Sequence, residues 1–188
     1  MAKLNEKQLE IANRIITKYK ESNKKNIIIV CIGTPKSIGD SLGPLVGTRL
    51  QENEIKITVK GDLEDPIHAL NVQAKMQEIK EQYNDPFIIG VDSCIAYDRE
   101  IGYYDLKDTG ISPGKGVGKD LCKVGDCGLY GIIHKCNEKE DYDDILFCVA
   151  DSRKFKSVYL LSTILTNILM YVDKILAKKL LINRMFYK

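Results

Sequence analysis

An unbroken apolar run, Ile27-Ile-Ile-Val-Cys-Ile32, passes directly into Thr34-Pro-Lys-Ser-Ile-Gly-Asp40-Ser-Leu-Gly-Pro44 and then into helical spacing. A short apolar run bounded by turn residues reads as a buried strand. The turn it delivers is rich in glycine, and its one carboxylate, Asp40, falls where the next helix should begin. The pattern recurs at Phe87-Ile-Ile-Gly-Val-Asp92-Ser-Cys94, where a second apolar strand ends on a second acid. Open α/β sheets bind ligands beyond the carboxyl ends of their strands, so Asp40 and Asp92 are candidates for one site.

The rest of the chain supports these two positions. Leu9, Ala12, Ile15, Ile16 and Tyr19 have helical spacing and predict a first helix over Asn5 to Tyr19. The first strand spans Asn26 to Ile32, and a helix follows from about Ser41 to Glu54 with Asp40 as N-cap and Pro44 in its first turn. Ile55 to Val59 alternates as a second strand. Asp65-Pro66 has the form of an N-cap and first helical residue, opening a helix to about Tyr83 with His68 in its first turn. Phe87 to Val91, Glu100 to Asp105, Gly128 to His134 and Asp144 to Ala150 are further strands, and a helix from Phe155 to about Leu181 closes the chain. Asp108 to Lys119, with four glycines and a proline, is a loop. Strand–helix alternation over 188 residues without an internal repeat predicts one three-layer α/β domain over residues 1–188.

Composition narrows the function classes. An apolar share of 44% and a charged share of 29% are those of a globular protein. A net charge of +2 gives no case for nucleic acid, and the C-terminal lysines read as a solvated helix face. Ser157 to Val172, the longest charge-free aliphatic run, falls short of the ~20 residues of a spanning helix. No apolar export signal is visible before Glu21, so a cytoplasmic location and free thiols are expected for the six cysteines. The last helix carries more aliphatics than one narrow stripe needs, so a homo-oligomer through that helix is expected.

The glycines fit no nucleotide motif. Gly114-Lys115 and Gly118-Lys119 lack the remainder of a P-loop, and Gly33, Gly39 and Gly43 do not have dinucleotide spacing. Cys122, Cys127, Cys136 and His134 could ligate zinc, but no C-x-x-C pair exists, so no metal site is assigned. Cys94 could act as a nucleophile with His68 or His134. Paired carboxylates are the other chemistry available: two acids facing one water cannot both ionise cheaply, so one keeps a proton and the other accepts one.

Four motifs in order, Gly39-Asp40-Ser-Leu-Gly-Pro44, Leu63-Glu-Asp-Pro-Ile-His68, Val91-Asp92 and Asp108-Thr-Gly-Ile-Ser-Pro-Gly-Lys-Gly-Val-Gly118, resemble those of the YyaC-type sporulation proteins. These are described as peptidases related to the spore germination protease. The resemblance runs from the first strand to the final helix. It implies a phosphorylase/hydrolase-like α/β fold, with a mixed, mainly parallel sheet between helices, shared with hydrogenase maturation peptidases. In the germination protease two aspartates form an atypical aspartic-protease pair that degrades small acid-soluble spore proteins; by motif they fall on Asp40 and Asp92. The chain is shorter than that protease, and no long removable prosegment is expected before the first strand.

The resemblance thus implies a peptidase of a spore-forming cell, in forespore or mother cell, acting on a protein or peptide such as a small acid-soluble spore protein. Asp40 and Asp92 are its expected catalytic pair, and Gly39, Ser41, Ser93, Gly114, Gly116 and Gly118 its expected substrate-binding positions, with no cofactor, metal, nucleic acid or membrane. Two alternatives remain open. One is a sporulation binding protein that keeps the acidic pocket without turnover. The other is a maturation peptidase recognising nickel through the acids and a histidine.

Overall fold

The computed structural model describes residues 3–113, 123–136 and 154–186, with the side chains of the last helix described to residue 177. Among the described residues five strands form one sheet: β1 (Ile27–Cys31), β2 (Thr58–Lys60), β3 (Phe87–Ala96), β4 (Tyr104–Lys107) and β5 (Cys127–Lys135), in the order β2-β1-β3-β5-β4. β4 runs antiparallel to β5, and all other pairings are parallel. The helices among the described residues are α1 (Glu6–Glu21), α2 (Leu42–Glu52), α3 (Val72–Gln82) and α4 (Phe155–Phe186). α1 begins with a capping box, in which the Asn5 side chain accepts from the Gln8 amide and the Gln8 side chain from the Asn5 amide.

Side-chain alternation along the strands divides the core in two. Ile29, Cys31, Phe87, Ile89, Val91, Cys127, Leu129 and Ile133 face α1, α2 and α4, while Ile28, Val30, Ile32 and Ile88 face α3 with its Val72, Met76 and Ile79. The architecture is the expected three-layer α/β arrangement with a mixed, mainly parallel sheet. α4 is the central helix of its layer, packed on α1, α2 and β5. Phe155–Ala177 is long and apolar enough to cross a membrane by length and composition. Its Val158, Leu161, Leu165, Ile168, Leu169, Val172 and Leu176 are nonetheless buried in the protein core. Contact with three elements buries much of the wide apolar face, while Phe155, Tyr159 and Leu160 stay exposed.

Several local expectations give way to longer-range contacts. No helix opens at Asp65-Pro66. The Asp62 carboxylate accepts from the Glu64 and Asp65 amides, Ile67 bridges to Ile32, and His68 sits in a turn before α3. β2 starts at Thr58 rather than Ile55, because the Asp173 carboxylate on α4 takes the Lys56 and Ile57 amides at 2.8 Å each. β3 continues to Ala96, since β5 pairs along it past a bulge between Cys94 and Ile95. Glu100 to Tyr103 forms a turn, so β4 begins at Tyr104. The strand expected at 144–150 and the glycines at 114, 116 and 118 lie outside the described residues.

Candidate active site

β1 leaves the sheet while β3 continues, and the Ile32 amide donates to the Val91 carbonyl at 2.7 Å as the two separate. The chain after β1 goes to β2 on one side, whereas β3 lies on the other. This divergence is the crevice in which open α/β sheets place their ligands. Two glycines fit the turn into it. Gly33 has φ +140°, and a Cβ there would lie 1.9 Å from the Asp40 carbonyl oxygen. A Cβ on Gly43 would lie 2.0 Å from the Ile32 carbonyl oxygen. Backbone therefore packs on backbone at both points, and the Thr34 amide closes the loop by donating to the Asp40 carbonyl at 3.0 Å.

Asp40 does not serve as an N-cap. It lies inside a short 3-10 turn, Gly39–Ser41, and no side-chain hydrogen bond caps either that turn or α2. The close approach at Gly33 and Gly43 tightens the entry to α2 and puts Ser41 at the cap position. The ~1 kcal/mol role an N-cap aspartate would have is thus absent. Asp92 is 9% exposed on β3, and its Oδ1 accepts from the Ser93 amide at 2.7 Å.

Burial lifts the Asp40 carboxyl from 3.8 to about 6, with the Thr34 backbone pulling weakly the other way. Burial also raises Asp92 well above its ordinary value, and the charge of Asp40 raises it further, against the Ser93 amide. Asp40 therefore ionises first, and its charge keeps the proton on Asp92. Ser93 fills a lone pair on Oδ1, which leaves Oδ2 of Asp92 to carry that proton. Once Asp40 has ionised, the two acids differ in their hold on a proton, the arrangement of a base beside an acid.

The other expected positions fall as follows. Gly39 is buried in the 3-10 turn, and Ser41 is buried with its Oγ donating to the Ile38 carbonyl at 2.7 Å. Ser93 is half-buried next to Asp92. Cys94 is exposed two residues beyond Asp92. His68 accepts from the Leu70 amide through Nδ1 at 3.3 Å, and His134 is buried with Nδ1 3.0 Å from Lys154 Nζ. Cys127 and Cys136 are buried, and burial pushes the Cys127 thiol up to about 12. Among the described residues no group of three His, Cys, Asp or Glu side chains could hold a metal ion. With no third ligand beside them among the described residues, Asp40 and Asp92 do not by themselves fit a nickel centre. Sequence reasoning missed the structural roles of Gly33 and Gly43, although both glycines were visible beside the acid.

Residues 1–168 match the family described as "Protein of unknown function (DUF1256)". The "Uncharacterized protein YyaC" of Bacillus subtilis (strain 168) is 39% identical over 126 residues, 66% of this chain and 62% of that protein. The matched stretch thus spans less than two thirds of that relative. Among solved structures, the NiFe hydrogenase maturation protease HycI of Thermococcus kodakarensis is similar at 17% identity, with 82% of this chain and 98% of that one covered and a TM-score of 0.43. The NiFe hydrogenase maturation protease HybD of the same organism gives 11% identity, 77% and 99% coverage, and a TM-score of 0.42. By the match over most of its length, the chain belongs to the family described as "Protein of unknown function (DUF1256)".

Proposed function

We propose that the protein is a peptidase that uses Asp40 and Asp92 with an activated water. One observation carries this reading: half-buried Asp40 and buried Asp92 lie at the sheet's divergence point, neither caps a helix, and both hold their protons more tightly than ordinary carboxyls, Asp92 partly because of the charge of Asp40. Asp40 takes a proton from water, and the hydroxide adds to the scissile carbonyl carbon. Asp92 gives its Oδ2 proton to the leaving nitrogen as the C–N bond breaks. The proton held by Asp40 then returns to Asp92, which restores the pair.

The loop after Asp108 supports the same reading from its base. Gly90 and Gly128 leave space on the sheet in which Ile111 lies, and Ile111 bridges to Val124. Arg14 and Lys18 of α1 pair with Asp108 at 3.2 and 3.4 Å. We place Gly39, Ser41 and Ser93 beside the scissile bond, and assign the amides of Gly114, Gly116 and Gly118 to peptide or oxyanion binding. A small acid-soluble spore protein is the proposed substrate, on the motif resemblance. The test is to incubate purified small acid-soluble spore proteins with wild type and Asp92→Asn and read fragments by mass spectrometry. Discrete fragments from wild type alone are expected; equal cleavage by both would remove Asp92 from the mechanism. Intact substrate that still binds both proteins would favour a binding protein.

A further inference from the structure

Residues paired across a sheet share a face, which puts Asp92, Tyr130 and Asp105 in one row across β3, β5 and β4. The preceding row is Gly90, Gly128 and Lys107, and Ile111 lies over its two glycines. α3 packs on Ile28, Val30 and Ile88, farther toward β1. Among the described residues, then, no helix covers the part of this face beside Asp92.

Tyr130 is half-buried there, and its hydroxyl has no hydrogen-bond partner among the described residues. Its neighbours are fixed by contrast. The Tyr103 hydroxyl donates to Asp105 Oδ2 at 2.9 Å, Arg14 donates to Asp105 Oδ1, and Arg99 stacks 5.0 Å from the centre of the Tyr103 ring. A phenol whose hydroxyl meets none of the described residues, flanked by locked side chains and one strand from the acid, is placed to contact a ligand bound at Asp92.

We propose that Tyr130 binds the substrate next to the scissile bond, donating its hydroxyl to a main-chain carbonyl of an extended peptide that lies across β3, β5 and β4. This rests on the peptidase reading above. The ring gives flat apolar contact with little entropy to lose, and the hydroxyl sets the register of the peptide. Tyr130 is a substrate contact here and takes no part in proton transfer.

The test compares wild type with Tyr130→Phe on a library of ten-residue peptides. Turnover is followed by mass spectrometry and binding by equilibrium dialysis. The phenylalanine variant keeps the ring and loses no hydrogen bond to the described residues, so its melting temperature should equal that of wild type. The expected result is a KM raised about 3- to 10-fold, as for one neutral hydrogen bond, with kcat within twofold. Unchanged KM and unchanged binding would overturn the proposal, as would a melting temperature that falls along with activity. Binding weakened by Tyr130→Phe in a protein that cleaves nothing would overturn the peptidase reading and leave Tyr130 as a ligand contact. Wild type that neither cleaves nor binds the library would overturn both.

Discussion

Replacing Asp40 by asparagine should make the protein more stable at neutral and alkaline pH while abolishing its proposed activity. The folded-state value of Asp40 lies above 3.8, at about 6. The folded protein therefore holds this proton more tightly than the unfolded chain. Stability fully present below pH 3.8 is lost as the pH climbs to about 6, and it stays lost above that. The interval corresponds to about 3 kcal/mol at ~1.4 kcal/mol per pKa unit. An asparagine is neutral throughout, so the variant should match wild type near pH 4 and exceed it at pH 8. The gain should be about 1–3 kcal/mol, because the new amide must find an acceptor in a pocket shaped for a carboxyl. In a protein of this length that is a rise of roughly 3–10 °C in melting temperature. Urea unfolding of both proteins at pH 4, 6 and 8 gives the difference directly; the acids other than Asp92, which feels the Asp40 charge, cancel in it. An Asp40→Asn protein less stable than wild type at pH 8, or a gap of the same size at pH 4 and 8, would refute the reasoning.

The proposed division of labour predicts a pH–rate profile for peptide cleavage that rises with unit slope to a point near pH 6 as Asp40 ionises, then falls at higher pH as Asp92 loses its proton; stopped-time assays across pH 4–9 check it. Gly128→Ala would set a Cβ 2.4 Å from Ile111 Cγ1, which must move. It should cost about 1–3 kcal/mol in denaturant melts and reduce turnover by displacing the base of the glycine loop. Asp173→Ala removes the acceptor for the Lys56 and Ile57 amides. It should destabilise the protein by about 2–3 kcal/mol, or roughly 5–10 °C by calorimetry, while Asp173→Asn keeps an acceptor and loses less.

The features read correctly from sequence were those with a local cause. The runs Ile27–Ile32 and Phe87–Val91 are apolar without interruption, which identifies buried strands and with them the carboxylates that follow. The errors have non-local causes. Asp65-Pro66 carries a sound helix-start signal, but Ile67 gains more from burial beside Ile32 than from a helical turn. Ile55 and Lys56 have strand alternation, yet a carboxylate more than a hundred residues away on α4 takes the amides of Lys56 and Ile57. Asp40 has the position of an N-cap, and the approach of Gly33 and Gly43 to neighbouring backbone takes it out of that role. That Asp40 and Asp92 influence one another follows from β1 lying beside β3, a strand order set by the fold as a whole. Tyr130 gave no sequence signal, since its position beside Asp92 exists only through the β3–β5 register.

In the proposed mechanism the crevice holds one proton between Asp40 and Asp92, each with its own role. Carbon-13 NMR of the aspartate carboxyl carbons, titrated from pH 3 to 9 with Asp40→Asn and Asp92→Asn for assignment, tests it most directly. The Asp40 resonance should titrate near pH 6 while Asp92 stays protonated beyond that point. Both carboxyls ionising together near pH 4 would contradict it.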